Sequence, residues 1–428
     1  MSSGKMRVLL VGGGGREHAL AWKLRQSQHC RALYAAPGNA GIAQIAECVP
    51  IAPKTIPDLV QFARQNAIDL VVVGPESPLI AGLADALQEA GIPCFGPTRA
   101  AAQLEGSKAF AKQLMAQVGA PTAPFAVFDD ADAARAYLRE RFPHCACVVK
   151  ADGEALGKGV FVCDTLSDAL DAVEFLMEQG GLGEAGKRVV IEDRLHGREM
   201  SLLCLTDGEH ALAMPPVRDY KRAFDGNRGP NTGGMGCYTP LPDATPALVE
   251  TAMHQIVRPV IREMAQRGTP YRGVLYAGLM IQDAQPHTLE FNCRFGDPET
   301  QVLMPLLKSD LLELAYSAAT GALPATELAF EARAAVCVVL ASGGYPGEYR
   351  TGLPIEGLDT AAKMPDTLIF HAGTRAENGQ ILTHGGRVLN IVGLGDTVDA
   401  ARQNAYRAAA QIHFDGMHYR RDIAESVL

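Results

Sequence analysis

The sequence lacks an apolar run long enough to span a bilayer, and its first residues lack the hydrophobic segment and cleavage site of a secretory signal. The apolar run Met6–Val11 has only the length of a strand. These absences predict a cytoplasmic protein without a membrane partner.

Basic runs and paired CxxC motifs are missing too. The net charge is 39 − 48 = −9, and no basic run offsets it, which argues against nucleic acid as a partner. Ten scattered cysteines argue against a zinc site and against a disulfide framework. No obligate protein partner is evident, and anionic small-molecule substrates would need local cations to hold them.

Strands and helices alternate over the first hundred residues. The predicted elements are the strands Met6–Val11, Arg31–Ala36, Ile68–Val73 and Ile92–Phe95 and the helices Arg16–Gln26, Leu59–Asn66 and Leu79–Ala90. This alternation predicts a doubly wound parallel sheet. Such sheets bind ligands beyond the carboxyl ends of their strands, where residues 12–15, 36–39 and 74–76 lie.

Beyond residue 106 the pattern changes to α+β. The main predicted elements are the strands Pro143–Val149, Gly159–Cys163, Arg188–Glu192, Ser201–Leu205, Ala334–Leu340, Thr367–Phe370 and Arg387–Val392 and the helices Ser167–Gln179 and Val398–Gln411. A chain of 428 residues suggests roughly two to four domains. We therefore predict a multidomain α/β and α+β protein divided into residues 1–106, 107–194, 195–328 and 329–428.

Glu290 and Asn292 lie two positions apart on a predicted strand, residues 288–293. The two-residue period of a strand puts both side chains on one face, while Leu289 and Phe291 point to the other. A carboxylate and an amide oxygen suit Mg²⁺, which takes its remaining ligands from phosphates and water. A solvated strand edge without a metal stays an alternative at this point.

A first glycine turn, Gly12–Gly15, lies between a strand and a helix and is followed by Arg16. Backbone N–H groups at a helix start favour an anion, and Arg16 adds positive charge. A dinucleotide site would also need an acidic residue at the end of the second strand, but no carboxylate follows until Glu47. The pattern favours a sugar phosphate over NAD, and a turn without a ligand stays open.

A second glycine-rich stretch is flanked by lysines. Lys150 ends an apolar strand and leads into a loop that returns at Val160, while Lys108 follows Gly106 and Ser107. Such a loop can fold over phosphates, with the lysines as fixed positive charges. The loop is not a Walker A motif. For each of the two lysines, the alternative is a solvated position on the surface that binds no phosphate.

A third group begins at Glu192, where a strand leaves into a crossing segment. Such a strand offers free backbone groups to a flat heterocycle, and Glu199, seven residues on, could accept hydrogen bonds from ribose hydroxyls. Acidic loop residues are common, so this pattern alone does not single out a nucleotide.

Four features follow one another along the chain: the lysines, the glycine-rich loop, the acidic hinge that begins at Glu192, and the strand with Glu290 and Asn292. In this order they resemble the ATP-grasp ligases. Within them, GGGGREHALAW, APGNAG, VGPESPL, FGPT, AAQLEGSKAF, GPNTGGMG, LYAGLM and EFNCRFGDPETQ look like the phosphoribosylamine–glycine ligase family. The resemblance runs from Arg7 to about Asp422. It implies an N-terminal substrate-binding domain, an ATP-grasp core of two α+β subdomains and a small C-terminal α+β domain.

The resemblance also implies a role for each matching residue. ATP would contact Lys108, Lys150, Asp152, Gly153, Gly157, Lys158, Gly159, Glu192, Leu195 and Glu199, with the backbones of Glu192 and Leu195 meeting adenine and Glu199 the ribose. Mg²⁺ or Mn²⁺ would be held by Glu290 and Asn292. The candidates for phosphoribosylamine are Gly13, Gly14, Gly15, Arg16, Glu17, Asn39, Glu76, Asn231, Thr232, Gly233 and Gly234. The candidates for glycine and the acyl phosphate are Asp219, Lys221 and Arg294.

One departure from the family pattern concerns the glycine-rich loop. Glu154 and Leu156 stand where the family usually has small or apolar residues. A carboxylate aimed at a triphosphate would be repelled, so we expect Glu154 to turn to solvent.

The implied reaction is the ATP-dependent ligation of glycine to 5-phosphoribosylamine through glycyl phosphate, a step of purine biosynthesis. Three alternatives remain open: an ATP-grasp ligase that carboxylates or formylates a purine precursor, an NAD(P)-dependent oxidoreductase, and a nucleotide sensor without turnover. The first would release phosphate without glycine, and the second would bind nicotinamide.

Overall fold

The computed structural model describes residues 5–144, 146–153, 159–324 and 327–425. Within these ranges no helix combines the length and the apolar character needed to cross a membrane. The predicted outward turn of Glu154 falls outside the described residues, as do the candidate residues Gly157 and Lys158.

The N-terminal unit is the predicted parallel sheet, with strand order β3-β2-β1-β4-β5. Its strands are β1 Met6–Gly12, β2 Cys30–Pro37, β3 Glu47–Cys48, β4 Leu70–Val73 and β5 Cys94–Phe95, and its helices are α1 Gly15–Arg25, α2 Ile56–Gln65, α3 Glu76–Ala81, α4 Leu83–Glu89 and α5 Gln103–Gly106, with a 3-10 turn at Ile42–Gln44. Val8 and Leu10 join one core cluster, while Leu9 and Val11 join another. Both faces of the sheet are therefore covered, as in other doubly wound folds.

The single helix predicted over Leu79–Ala90 is wrong. Two helices, α3 and α4, meet at Gly82, whose φ of +97° lies in the left-handed region. Glycine adopts this conformation without the steric cost that a Cβ would bring, so the apolar pattern continues while the helix breaks.

The next unit, which we call the small subdomain, spans residues 125–193 and follows helix α6, Lys108–Val118. Its elements are β6 Phe125–Phe128, α7 Ala131–Arg141, β7 Cys147–Ala151, β8 Val160–Cys163, α8 Leu166–Val173 with a π-helical turn Glu174–Glu178, a 3-10 turn Gly183–Gly186, and β9 Val189–Asp193. The sheet is antiparallel, in the order β6-β9-β7-β8. Its core, which includes Leu138, Val149 and Ile191, is separate from the two larger clusters.

A four-stranded antiparallel sheet, β11-β10-β16-β17, follows. The elements of this part are β10 Arg198–Asp207, β11 Ala211–Ala213, β12 Arg218–Asp219, β13 Arg222–Phe224, β14 Arg228–Asn231, β15 Gly236–Thr239, α9 Pro246–Ala252 with a π-helical turn Met253–Val257, α10 Arg258–Gln266, β16 Arg272–Gln282, β17 Gln285–Asn292, α11 Glu299–Leu306 and α12 Leu311–Thr320. Strand β17 carries the predicted metal ligands and ends inside the molecule.

The C-terminal elements are β18 Ala334–Ala341, α13 Leu358–Ala361, β19 Thr367–His371, β20 Thr374–Glu377, β21 Gln380–Thr383, β22 Arg387–Gly395 and α14 Val398–Ala409. Strands β12 and β15 join them in one sheet, ordered β12-β15-β18-β22-β19. This sheet crosses the boundary predicted between residues 328 and 329, and the predicted division into domains stays a prediction.

Candidate active site

Strand β17 presents its polar residues through a bulge. Gly278 pairs with Glu290 and Leu279 with Thr288, so Leu289 has no partner on β16. The extra residue interrupts the regular alternation that was predicted for this strand. From Glu290 onward the alternation holds, and Phe291 is buried in the core.

Four cations surround the half-buried carboxylate of Glu290. Burial alone would raise its pKa, but nearby positive charges outweigh burial and lower it below its ordinary value: Lys221, Lys150, Lys108 and Arg294. The side chain of Glu290 forms no hydrogen bond or ion pair within the described ranges. A free carboxylate in a cluster of cations is suited to a metal ion that carries an anionic ligand.

Asn292 and Arg294 lie side by side at the end of β17. Arg294 Nη2 donates to Asn292 Oδ1 at 3.1 Å and to Glu105 Oε1 at 3.2 Å, and Arg294 Nε donates to Glu76 Oε2 at 3.1 Å. Burial would lower the pKa of Arg294, but Glu105 and Glu76 hold it well above its ordinary value. Arg294 thus joins β17 to α3 and α5, and the amide oxygen of Asn292 keeps a second lone pair.

The side chains of Glu290 and Asn292 are chemically suited to be two ligands of a magnesium ion. Glu290 is unbonded, Asn292 has acceptor capacity left, and both belong to one strand face. Across the described ranges, no cluster of three or more His, Cys, Asp or Glu side chains could hold a metal ion. The donor set therefore fits an ion that takes further ligands from phosphates and water.

Lys150 bridges the small subdomain and β17. Its Nζ forms an ion pair with Glu192 and donates to the carbonyl of Leu289 at 3.1 Å. Lys112, on helix α6, pairs with the other carboxylate oxygen of Glu192. The side chain of Glu192 is thus engaged by two lysines, and its backbone lies within β9.

The first turn of helix α6 contacts the residues at which the glycine-rich loop begins. Asp152 Oδ1 accepts hydrogen bonds from Ser107 Oγ at 2.9 Å and from the N–H of Ala109 at 3.0 Å. Lys108 Nζ donates to the carbonyl of Gly153 at 3.3 Å. Asp152 therefore fixes the start of the loop against the first turn of α6, beside Lys108. Gly159 closes the described part of the loop by accepting a bond from the N–H of Ala151 at 2.8 Å.

Beyond the hinge, Lys221 Nζ forms an ion pair with Glu199 Oε2 at 2.6 Å. Burial raises the pKa of Asp219 to about 7; Lys221 opposes this, while Glu299 and Glu199 add to it. Leu195 is half-buried, and its backbone N–H and C=O bond to no other described residue. Asp219, Lys221 and Glu199 thus form one charged cluster next to Glu290.

The first glycine turn is shaped by Glu17. Its carboxylate accepts from the N–H of Gly14 and from Arg16 Nε, both at 2.6 Å. A Cβ at Gly12 would lie 2.6 Å from Glu17 Cγ, and one at Gly74 would lie 2.0 Å from Glu17 Oε1. These two glycines therefore make room for a side chain of the protein, which is a structural reason for their presence.

Asn39 holds two neighbouring loops together. Its Nδ2 donates to the carbonyls of Gly13 at 2.9 Å and His371 at 2.8 Å, and its Oδ1 accepts from the N–H groups of Gly41 and Ile42. These bonds use the full capacity of the side chain, so Asn39 positions the loop beside α1.

The Asn231–Gly234 turn meets the C-terminal unit at Arg387. Arg387 Nη1 donates to the carbonyl of Gly233 at 2.7 Å and to that of Asp297 at 2.8 Å, while Nη2 pairs with Asp297 Oδ2 at 3.0 Å. Thr232 bonds through its N–H to the carbonyl of Lys221 at 2.7 Å. The turn is thereby joined to the charged cluster on one side and to β22 on the other.

Sequence reasoning missed four charged residues of this region: Glu105, Lys112, Asp297 and Arg387. Lys112 follows Lys108 by four positions on a helix, a spacing that puts both on one face. Glu105 and Asp297 stand inside stretches that carried the family resemblance. No local pattern distinguishes Arg387, whose partners come from distant parts of the chain.

Comparison with known families divides the chain into three matched segments. Residues 6–105 match the phosphoribosylglycinamide synthetase N domain, residues 106–300 its ATP-grasp (A) domain and residues 335–426 its C domain. A phosphoribosylamine–glycine ligase of Rhodopirellula baltica is 48% identical over 432 residues, covering 99% of this chain and 98% of that protein. One of Rhizobium meliloti is 50% identical over 418 residues, covering 98% of each.

Solved structures are similar over nearly the full length. The Thermotoga maritima phosphoribosylamine–glycine ligase has a TM-score of 0.84 at 34% identity, covering 97% of this chain and all of that one. A biotin carboxylase domain of the Hydrogenobacter thermophilus 2-oxoglutarate carboxylase, solved with MgADP, has a TM-score of 0.76 at 15% identity, covering 97% and 92%, and shows the shared fold alone. The predicted fold class is confirmed, and the chain belongs to the phosphoribosylglycinamide synthetase family of ATP-grasp enzymes.

Proposed function

We propose that this chain joins glycine to 5-phosphoribosylamine at the expense of ATP, giving glycinamide ribonucleotide, ADP and phosphate. The observation that carries the proposal is the unbonded carboxylate of Glu290 among four cations at the end of β17. Relatives at about half identity that bear the name of this activity support the same carbon–nitrogen ligase of purine biosynthesis.

ATP would bind between the small subdomain and β17. The register of β7 with β8 puts Lys150, Val148, Val160 and Val162 on one face of the sheet. Val162 is 45% exposed, so this face offers apolar surface to a base next to the lysine that would meet the phosphates. The free backbone groups of Leu195 suit the edge of adenine.

Glu290 and Asn292 would hold Mg²⁺ or Mn²⁺. When bound, the ion would neutralise charge on the β- and γ-phosphates during phosphoryl transfer. Lys108 and Lys150 add fixed positive charge there. Their contacts with the carbonyls of Gly153 and Leu289 keep both ammonium groups near Glu290.

The two chemical steps would take place beside Arg294, Lys221 and Asp219. The carboxylate of glycine attacks the γ-phosphorus of ATP, which releases ADP and forms glycyl phosphate. The amine of phosphoribosylamine then attacks the acyl carbon and displaces phosphate, and its nitrogen loses a proton. Asp219, with a pKa raised to about 7, suits the uptake of that proton near neutral pH.

Phosphoribosylamine would lie where the N-terminal, central and C-terminal units meet. The candidates there are Gly13, Gly14, Gly15, Arg16, Glu17, Asn39, Glu76, Asn231, Thr232, Gly233 and Gly234, of which Asn39 would act by positioning the loop beside α1. Gly74 bonds through its N–H to the carbonyl of Val11 at 2.9 Å, so the loops after β1 and β4 lie together where the strand order reverses. Open α/β sheets bind ligands at this position.

The decisive experiment measures ADP formation with ATP and Mg²⁺ when glycine and phosphoribosylamine are supplied together or singly. Phosphoribosylamine is generated in place from ribose 5-phosphate and ammonia. We expect ADP only when both are present. Phosphate release without glycine would point to another ATP-grasp ligase. Binding of nicotinamide would point to an oxidoreductase, and binding of ATP without turnover would point to a sensor. Each of these results would contradict the proposal.

A further inference from the structure

Two lysines share one buried carboxylate. Lys112 on α6 and Lys150 on β7 pair with different oxygens of Glu192 on β9. The side chains of Lys112 and Glu192 are each 3% exposed, and that of Lys150 is 7% exposed. Two positive charges and one negative charge are thus confined where water cannot compensate them.

The two lysines differ in what else they contact. Lys112 Nζ donates to Thr122 Oγ1 at 2.6 Å, and Thr122 Oγ1 donates to the carbonyl of Thr288 at 2.7 Å. The ammonium also lies 5.9 Å from the centre of the Phe125 ring. All of these contacts engage Lys112 with groups of the protein itself.

Lys150 instead lies on the side of Glu290. It donates to the carbonyl of Leu289, and its charge helps to lower the pKa of Glu290. Its second partner, Glu192, competes with any phosphate for the same ammonium group. If the ammonium group of Lys150 shifts from Glu192 toward a phosphate, Glu192 needs another cation, because a buried carboxylate without a partner is strongly unfavourable.

We propose that Lys112 is the permanent counterion of Glu192 and that it frees Lys150 to bind the phosphates of the nucleotide. Lys112 is thus a positioning residue that acts through Glu192 and touches no substrate. The inference rests on the proposed function, since it takes Lys150 as a phosphate ligand. Burial lowers the pKa of Lys112 to about 8. The negative charge of Glu192 opposes this shift, and the positive charge of Lys150 adds to it. Movement of Lys150 away from Lys112 would therefore relieve a repulsion between the two lysines.

The test compares MgADP binding by calorimetry in the full-length protein and in three variants: Lys112→Met, Glu192→Gln and the double variant. Methionine keeps an unbranched chain and removes the charge. We expect Lys112→Met to weaken MgADP binding at least tenfold and to raise the KM for ATP without changing the KM for glycine. Lys54→Met, at an exposed lysine of the N-terminal unit, should bind like the unaltered protein.

The double variant separates this role from simple packing. Once Glu192 is neutral, Lys112 has no charge to balance, so the double variant should bind MgADP within about threefold of Glu192→Gln alone. A tenfold gap between those two variants, or unchanged binding by Lys112→Met, would overturn the proposal. If Lys112→Met does not fold, the comparison of the double variant with Glu192→Gln still decides the question.

MgADP binding is measured without the ligase reaction, so the two proposals fail separately. A protein that binds MgADP as expected but forms no ADP from glycine and phosphoribosylamine contradicts the proposed function alone. A working ligase in which Lys112→Met leaves MgADP binding unchanged contradicts the counterion role alone.

Discussion

At the residue scale, several charged side chains of the site are held in ion pairs, whereas the carboxylate of Glu290 forms none within the described residues. Arg294 forms ion pairs with Glu105 and Glu76. Lys150 pairs with Glu192, and Lys221 pairs with Glu199. Glu290 is the exception. A carboxylate kept ionised by its neighbours but bonded to none of them is ready to bind a cation.

Glu290→Gln should leave the fold intact and reduce kcat on the order of a hundredfold or more, a typical effect of removing one preorganised electrostatic group. The amide is isosteric but brings no charge to the proposed metal site. Steady-state ADP formation at saturating Mg²⁺ measures the effect, and Glu209→Gln at an exposed position is the control. Undiminished turnover would contradict the assignment of Glu290.

Arg294→Leu should destabilise the protein by about 3–5 kcal/mol, because it leaves the largely buried carboxylates of Glu105 and Glu76 without their cation. Urea unfolding measures the loss. Adding Glu105→Gln to the variant should recover part of it, since one uncompensated charge is then removed. Equal stability of the single and double variants would show that the ion pair with Glu105 contributes little.

At the scale of elements, a bulge in β17 and the start of α6 bring together the residues proposed to bind the nucleotide. The bulge in β17 turns the carbonyl of Leu289 toward Lys150. The first turn of α6 is capped by Ser107 and tied to Asp152, so Lys108 and the glycine-rich loop share one support. The small subdomain above them has a core of its own, which allows it to open or unfold without disturbing the larger clusters.

Leu138→Ala should destabilise the small subdomain by about 2–5 kcal/mol, because Leu138 is fully buried in that separate core. Amide hydrogen exchange should accelerate in β7 and β9 while β1 and β18 stay protected. Leu303→Ala, in a larger core cluster, is the matched control and should show the opposite pattern. Uniform acceleration in both variants would mean that the cores unfold as one.

At the scale of the whole molecule, the N-terminal and C-terminal units meet through neutral histidines. The N–H of His371 donates to His18 Nδ1 at 2.7 Å, and the two side chains are 7% and 8% exposed. Burial lowers the pKa of His18 to about 3, with His371 contributing, and burial lowers that of His371 to about 4. Protonation of either ring therefore works against this contact.

Acid should weaken the folded state through these histidines. Because their folded pKa values lie below the unfolded value of about 6.5, their contribution is complete above that pH and is lost as the pH falls toward 4. At pH 5 the loss amounts to about 2 kcal/mol per histidine. His18→Gln should flatten the pH dependence of the unfolding midpoint between pH 5 and 6.5, whereas His144→Gln, at an exposed position, should not. Parallel curves for both variants would contradict this role.

Local patterns were enough to predict the parallel strands β1 and β4 and the common strand face of Glu290 and Asn292. The apolar runs of β1 and β4 and the alternation at Glu290 and Asn292 are legible because each depends on a few consecutive residues. The same patterns failed at Gly82, where a backbone conformation breaks an apolar helix, and at Leu289, where the partner strand imposes a bulge. Neither interruption changes the hydrophobic pattern from which the element was predicted.

The sequence by itself determined the parallel sheet, the glycine turns, the strand that carries Glu290 and Asn292, and the family. Only the tertiary structure decided which charges meet: Lys112 with Glu192, Arg294 with Glu105, and Arg387 with Asp297. Periodicity and turn chemistry depend on a few neighbouring residues, so they can be recognised in a short stretch of the sequence. Charge pairs form between elements 80 to 190 positions apart, and their geometry depends on how those elements pack.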